Sequence, residues 1–441
     1  MMKKMTALAL AAVMALALGA CGDKKDSVKY GLVTTSQGII PESVNADIYA
    51  AIQEAATLSE EQCQYYTAED DTAKGIDAQF KTAADDGTEL VFAYGKDLET
   101  AVFRAQRSHR KTRYVLVDGY PSKNEGDEVS FRENTTSIGI ATQDAGFIAG
   151  YGSVRNGYRK LGFIAGTDDD ANKRYLSGYV QGAELAATEL NLSPGDVKVT
   201  AVYAEDDTLT PLRMTDALIL YKSGTDVIYA VGENVATSVA KAAQSLSKPF
   251  IAGGVDMNNL TSSCIFSTVS IYRAAIEAAL NDYDSEEGLP GGQAVYYGAA
   301  DKAVKIIADY TRLSTFSETD YNNAVRQIME GTVTVSGDEM TEGTAHVALT
   351  VTAPPSGLTA EEVAAAGLSA VSGNSSAQAD TGSEASGESE SSSEEASSEE
   401  GSEEDAENGE EYEEDQASEE EYDEEENAGE EYTGEENTEE Q

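Results

Sequence analysis

The chain has 441 residues and a formal net charge of −50, from 80 acidic against 30 basic side chains. That balance lacks the basic footprint nucleic acid requires and argues against it as a partner. Length alone allows two or three domains, and three cysteines with two scattered histidines give no metal-ligand spacing.

The first segment, 1–20, reads as a secretory signal. Lys3 and Lys4 precede an apolar run from Ala7 to Leu18 and then small residues, a run too short to span a membrane. It ends Leu18-Gly19-Ala20-Cys21, which resembles a bacterial lipobox. That resemblance implies cleavage before Cys21, lipidation of its thiol, and a place on the extracytoplasmic face of the cell membrane. Residues 21–27 then form a polar tether. Diacylation meets the two-chain requirement for stable attachment. No later stretch is apolar for about 18 residues, so the lipid is the only expected membrane contact.

Residues 28 to about 353 alternate strand-like and helix-like runs. The first half reads as strand 30–34, helix 45–57, strand 64–68, helix 73–86, strand 90–94, helix 98–108 and strand 114–117. A second cycle follows: helix 142–156, strand 160–165, helix 174–190, strand 197–203, helix 215–222, strand 226–230, helix 236–246 and strand 249–252. Later elements are a strand near 265–269, a helix at 272–280, a strand near 294–297 and a helix at 321–330. This order predicts an α/β fold: parallel sheets with helices on both faces, in two lobes of ordinary domain size. The expected lobes are 28–141 plus about 257–305, and 142–256 plus about 306–353. A linker, 354–379, leads to a tail, 380–441. The tail holds 30 acidic residues and no Lys or Arg. It cannot bury enough apolar surface to offset chain entropy and is expected to be disordered. A solvating brush and a cation- or protein-binding segment are both open readings of it.

In open α/β sheets ligands bind outside the carboxyl ends of strands, which here would face each other across a cleft. The first such end is the loop in GLVTTSQGIIPESVNADIY, which offers Thr35 and Gln37. Others offer Asp118, Gly232 and Asp256. A carboxylate there accepts two hydroxyl hydrogen bonds, as sugar and nucleoside recognition requires, but the same residues serve as helix caps or turns. No P-loop, G-x-S-x-G, H-E-x-x-H or C-x-x-C occurs, and neither histidine lies at a strand end. Enzyme chemistry and bound cofactors are not expected. Cys63 and Cys264 could pair in an extracytoplasmic chain, which spacing alone leaves open.

Several stretches resemble one family. They are Gln143-Asp144-Ala145-Gly146-Phe147-Ile148-Ala149-Gly150, Lys160 through Gly166, Arg174 through Ala183, Asp226-Val227-Ile228-Tyr229 and Val255-Asp256. In order and spacing they look like the basic membrane protein (BMP) lipoproteins, PnrA-like solute-binding components of ABC transporters. The resemblance covers roughly 28–337. It implies a type I periplasmic-binding fold, a permease partner and, for characterised members, a purine nucleoside ligand. It also implies ligand contacts at Asp118, Gly232 and Asp256, and a structural role for Asn45. The chain departs from the pattern at Thr35 and Pro41, where the family usually has Asp, and at Val44, where it has an aromatic. A second family aromatic is missing from the loop Ala204 to Asp207, and the family's Lys falls near Ser270. Tyr175, Tyr203 or Tyr94 could supply the lost stacking, though each also suits core packing.

The expected protein is thus a lipid-anchored solute-binding protein that delivers a nucleoside-like or sugar-like solute to an ABC importer. Its rivals are a surface sensor of the same fold that no longer serves transport, and a hydrolase acting through Asp118 or Asp256.

Overall fold

The computed structural model describes residues 28–204 and 211–353. The signal, the acylation position Cys21, the loop at Glu205 and the acidic tail lie outside the described residues.

The first sheet contains β1 (Val28–Thr34), β2 (Gln62–Thr67), β3 (Leu90–Tyr94), β4 (Arg113–Val117) and β5 (Thr135–Ile140). Helices α1 (Val44–Ser59), α2 (Ala73–Asp85) and α3 (Glu99–Ser108) connect β1 through β4. The second sheet opens after α4 (Thr142–Arg155). It holds β6 (Lys160–Ala165), β7 (Val197–Tyr203), β8 (Val227–Val231), β9 (Phe250–Gly253) and β10 (Cys264–Ser270). Its helices are α5 (Asp170–Glu189), α6 (Pro211–Lys222) and α7 (Glu233–Leu246). The chain then crosses to the first lobe through α8 (Tyr272–Asp284) and β11 (Gln293–Tyr297). It returns through β12 (Val304–Ala308), α9 (Glu318–Met329) and β13 (Val347–Thr352).

The first sheet has the order β11-β5-β4-β3-β1-β2, and all its pairs are parallel. The second is β12-β10-β9-β8-β6-β7-β13, antiparallel only between β10 and β12. Helices cover both faces, so the central strands are buried throughout. Leu90 to Ala93 and Val227 to Val231 show the continuous burial that parallel sheets require.

The expected lobe boundary near 257–305 needs correction. β10 continues the second sheet beside β9, and β12 begins at Val304 in that same sheet. Only α8 and β11 cross to the first lobe, where α8 packs on α1 and β11 pairs with β5. The apolar run of β10 is buried on both sides, which favours adding a strand in place over crossing first. Strands β5, β12 and β13 were not expected. β5 (TTSIGI) and β13 (VALTVT) mix Thr into their runs, and β13 is an exposed edge. Cys63 on β2 and Cys264 on β10 are free thiols in different sheets, so they do not pair.

Two glycine pairs bring α4 and α5 together. A Cβ on Gly146 would lie 2.0 Å from the Tyr175 carbonyl oxygen, and one on Gly150 would lie 1.9 Å from that of Tyr179. From α5, a Cβ on Gly178 would lie 1.8 Å from the Gln143 carbonyl oxygen, and one on Gly182 would lie 2.0 Å from that of Phe147. Spacing of four residues places each pair on one helix face. The backbones can touch only because these positions carry no side chain. This contact sets the first turns of α5, with Arg174 and Tyr175, against the start of α4 beside the crossover.

Candidate functional site

A cavity of about 670 Å³ is lined by residues from both lobes, at the carboxyl ends of β4, β9 and β10 and at the start of α5. That volume suits a small-molecule ligand.

Asp118 follows the last residue of β4. Its amide donates to the Ile138 carbonyl at 2.9 Å, which holds the β4 end against β5. Its φ of +52° is left-handed, a conformation that Asp tolerates better than most residues and that costs roughly 1–2 kcal/mol. The Tyr272 phenol, at the first turn of α8, donates to the Asp118 carboxylate. Burial raises the Asp118 pKa above the usual carboxylate range, while the Tyr272 hydrogen bond and the Arg174 charge oppose that rise.

Aromatic rings form much of the remaining wall. The Tyr120 and Tyr296 hydroxyls lie 2.5 Å apart. The Arg174 guanidinium stands over the Tyr296 ring at 4.5 Å from its centroid. Its Nε is buried without a hydrogen-bond partner among the described residues. Tyr94 meets Tyr272 edge to face at 6.2 Å. Burial pushes the Tyr175 phenol up to about 12, partly offset by a hydrogen bond with Ser270, so it stays neutral and can donate. The cleft therefore offers one hydrogen-bonded carboxylate, one guanidinium and several phenol faces.

Of the residues expected to meet a ligand, Asp118 and Tyr175 line this cavity; Thr35, Gln37, Gly232 and Asp256 do not. In the first loop, the Thr35 carbonyl accepts from the Gly38 amide at 3.1 Å. Ser36 donates from its amide to Asp71 at 2.7 Å, and Gln37 is exposed. Asn45 holds the loop by donating to the Gly38 carbonyl at 3.3 Å, the structural role expected of it. Gly232 caps α7 at φ +93°, with its carbonyl accepting from the Ala236 amide at 2.8 Å. Asp256 accepts from the Asn258 amide at 2.9 Å, which closes a turn. These residues shape the loops around the strand ends. Arg174, Tyr120, Tyr272 and Tyr296 were missed. Tyr120 lies two positions beyond Asp118 and Arg174 immediately precedes Tyr175, so proximity was a usable signal for both. Tyr272 and Tyr296 arrive with the crossover, which no local pattern locates.

The family model for ABC transporter substrate-binding proteins of the PnrA-like type (Bmp) matches residues 30–339. The chain belongs to this family. As a PnrA-like substrate-binding protein it has a small-molecule ligand and an ABC permease as partners. It is 27% identical over 252 residues to the "ABC transporter nucleoside-binding protein BmpA" of Lactococcus lactis subsp. cremoris, covering 55% of this chain and 68% of that one. It is 23% identical over 263 residues to "Basic membrane protein D" of Borreliella burgdorferi, covering 58% and 73% respectively. An ABC transporter solute-binding protein from Aeropyrum pernix K1 superposes with a TM-score of 0.48 at 15% identity, covering 71% of this chain and 94% of that one. Among the described residues no helix is long and apolar enough to cross a membrane.

Proposed function

We propose that this PnrA-like protein is an extracytoplasmic lipoprotein, anchored through Cys21, that carries a nucleoside-like solute to its permease without chemical change. The observation that carries the ligand reading is the interlobe cavity, where Asp118 and Arg174 stand among Tyr120, Tyr175, Tyr272 and Tyr296. A sugar hydroxyl pair suits the Asp118 carboxylate, which can accept from both. A flat base suits the phenol faces, where stacking is worth about 1–3 kcal/mol per base. The aromatics missing from the first loop and from the loop after β7 thus have substitutes, contributed by β11, α8 and the β4 end. The name of the Lactococcus relative, a nucleoside-binding protein, supports the same ligand class.

A thermal-shift series on the complete protein tests this reading. A ligand at about 100 times its Kd adds about 2.7 kcal/mol, a rise of several degrees in Tm. The expected result is such a rise with at least one nucleoside, and none with amino acids. No rise with any nucleoside would remove the ligand assignment and leave the family intact.

A further inference from the structure

An open groove of about 790 Å³ at the first lobe is lined by Arg107, Arg110, Arg113 and Arg132, with Glu133 as its one acid. Four guanidiniums in one groove are unexpected in a chain where acids outnumber bases so heavily. Among the described residues none of the four forms an ion pair.

The groove has a firm frame. Buried Gln106 on α3 donates to the Ser130 carbonyl at 2.8 Å and accepts from the Arg132 amide at 2.8 Å. Asn134 donates to the Thr112 carbonyl at 2.9 Å. Arg107 rests on the Phe103 ring, 3.4 Å from its centroid, and donates to Ser130 Oγ at 3.0 Å. Arg113 donates to the Leu289 carbonyl at 2.5 Å. Each of these two keeps donors unused, because a guanidinium carries five. Arg110 and Arg132 are exposed and form no side-chain hydrogen bond among the described residues. Burial and the facing Arg132 charge both lower the Arg107 pKa, the mark of like charges without a neutralising partner.

We propose that this groove is a phosphate-binding site that takes the headgroup phosphate of an anionic lipid. Planar guanidiniums pair bidentately with phosphate oxygens, which is why arginine suits this ligand. Position favours the membrane as the source. Arg113 opens β4, so the groove lies at the strand starts, opposite the strand ends that line the cleft. The Arg113 amide donates to the Glu89 carbonyl at 2.8 Å, and the Glu89 amide to the Val28 carbonyl at 3.2 Å. Val28, where the tether joins the fold, is thus two strands away, about 10 Å at the usual spacing. The choice of source rests on the Cys21 anchor; the phosphate chemistry does not. The groove would hold the anchored lobe against the membrane on its arginines.

The test uses the chain from Gly22 to Gln441, which lacks the acylation position and retains the acidic tail as a repulsive handicap. One arm measures sedimentation with phosphatidylglycerol–phosphatidylcholine vesicles against phosphatidylcholine alone. The other measures Tm with inorganic phosphate and glycerol phosphate. Expected are binding to the anionic vesicles that weakens with salt, and about a 10- to 30-fold loss in R110Q/R132Q. R110K/R132K, which keeps the charge and loses the planar fork, should lose less than the glutamine variant and still bind more weakly than the parent. A response to soluble phosphate alone, lost in R110Q/R132Q, supports the site and assigns it a free anion. No response in either arm, or an equal response in the glutamine variant, overturns the site. Unchanged ligand-free Tm and an unchanged nucleoside response in R110Q/R132Q keep this test separate from that of the cleft.

Discussion

The Tyr272 phenol on α8 donates a hydrogen bond to the Asp118 carboxylate at the end of β4. The two residues are 154 positions apart in sequence and meet only because the chain crosses back to the first lobe after β10. The crossover therefore both ties the lobes together and orients the acid that faces the cleft. Tyr272→Phe should remove this donor and raise the Asp118 pKa further. Unfolding in urea should show a loss of about 1–3 kcal/mol at neutral pH, because a half-buried carboxylate loses a partner. The loss should shrink as the pH falls and Asp118 protonates.

Asp144 makes a second bond across the crossover. Its carboxylate accepts from the Ala299 amide at 2.8 Å, and a Cβ on Gly298 would lie 2.1 Å from it. Burial pushes its pKa up to about 6; the Ala299 hydrogen bond opposes the rise and the Asp301 charge adds to it. A carboxyl with a raised folded pKa stabilises the fold below its unfolded pKa, near 4, and that contribution is lost as pH rises through about 6. Asp144→Asn retains an acceptor for Ala299 and cannot titrate. Its stability relative to the parent should therefore grow between pH 4 and 6, by up to roughly 3 kcal/mol. Thermal unfolding across that range checks the slope. A constant difference would contradict it.

Gly146 has no room for a methyl group, since its Cβ would lie 2.0 Å from the Tyr175 carbonyl oxygen, a backbone atom that cannot swing aside. Gly146→Ala should destabilise the protein by about 3 kcal/mol or more. It should also displace the α5 start, so ligand affinity should fall with stability. By contrast, Gly157→Ala meets no atom within 4 Å but sits at φ +98°. It should cost only backbone strain, about 1–2 kcal/mol, with no change in ligand affinity.

Arg174→Gln separates recognition from folding. The guanidinium lies over Tyr296 and makes no ion pair among the described residues. The ligand-free Tm should change little, by the loss of about 1 kcal/mol of cation–π contact. Ligand affinity should fall by about tenfold or more, because the guanidinium lines the cavity. Titration calorimetry on both forms measures the difference.

The sequence made the scaffold readable wherever a segment spoke for itself. Runs such as Lys160 to Ala165 and Leu90 to Tyr94 fixed their strands by apolar continuity, and their alternation with helices fixed the parallel sheets. Asp118 could be recognised because it terminates such a run. Sequence periodicity carries no record of which sheet a late strand joins. β10 was therefore placed with the wrong lobe, and Tyr272 and Tyr296 were not linked to Asp118. The first loop misled for another reason. Thr35 and Gln37 lie at a strand end, yet the Gly38–Thr35 turn, the Asn45 bond to Gly38 and the Ser36 bond to Asp71 hold that loop. Position at a strand end does not by itself bring a residue to the cleft: Arg174 and Tyr175 reach it from the first turns of α5.

The direct measurement of the cleft is titration calorimetry of a nucleoside panel into the complete protein and its Asp118→Asn variant. One ligand per protein is predicted for at least one nucleoside, with affinity reduced about 10-fold or more in the variant while its Tm stays close to that of the parent. Binding of equal strength in both forms, or no binding by any nucleoside, would contradict the assignment of this cleft and of Asp118 within it.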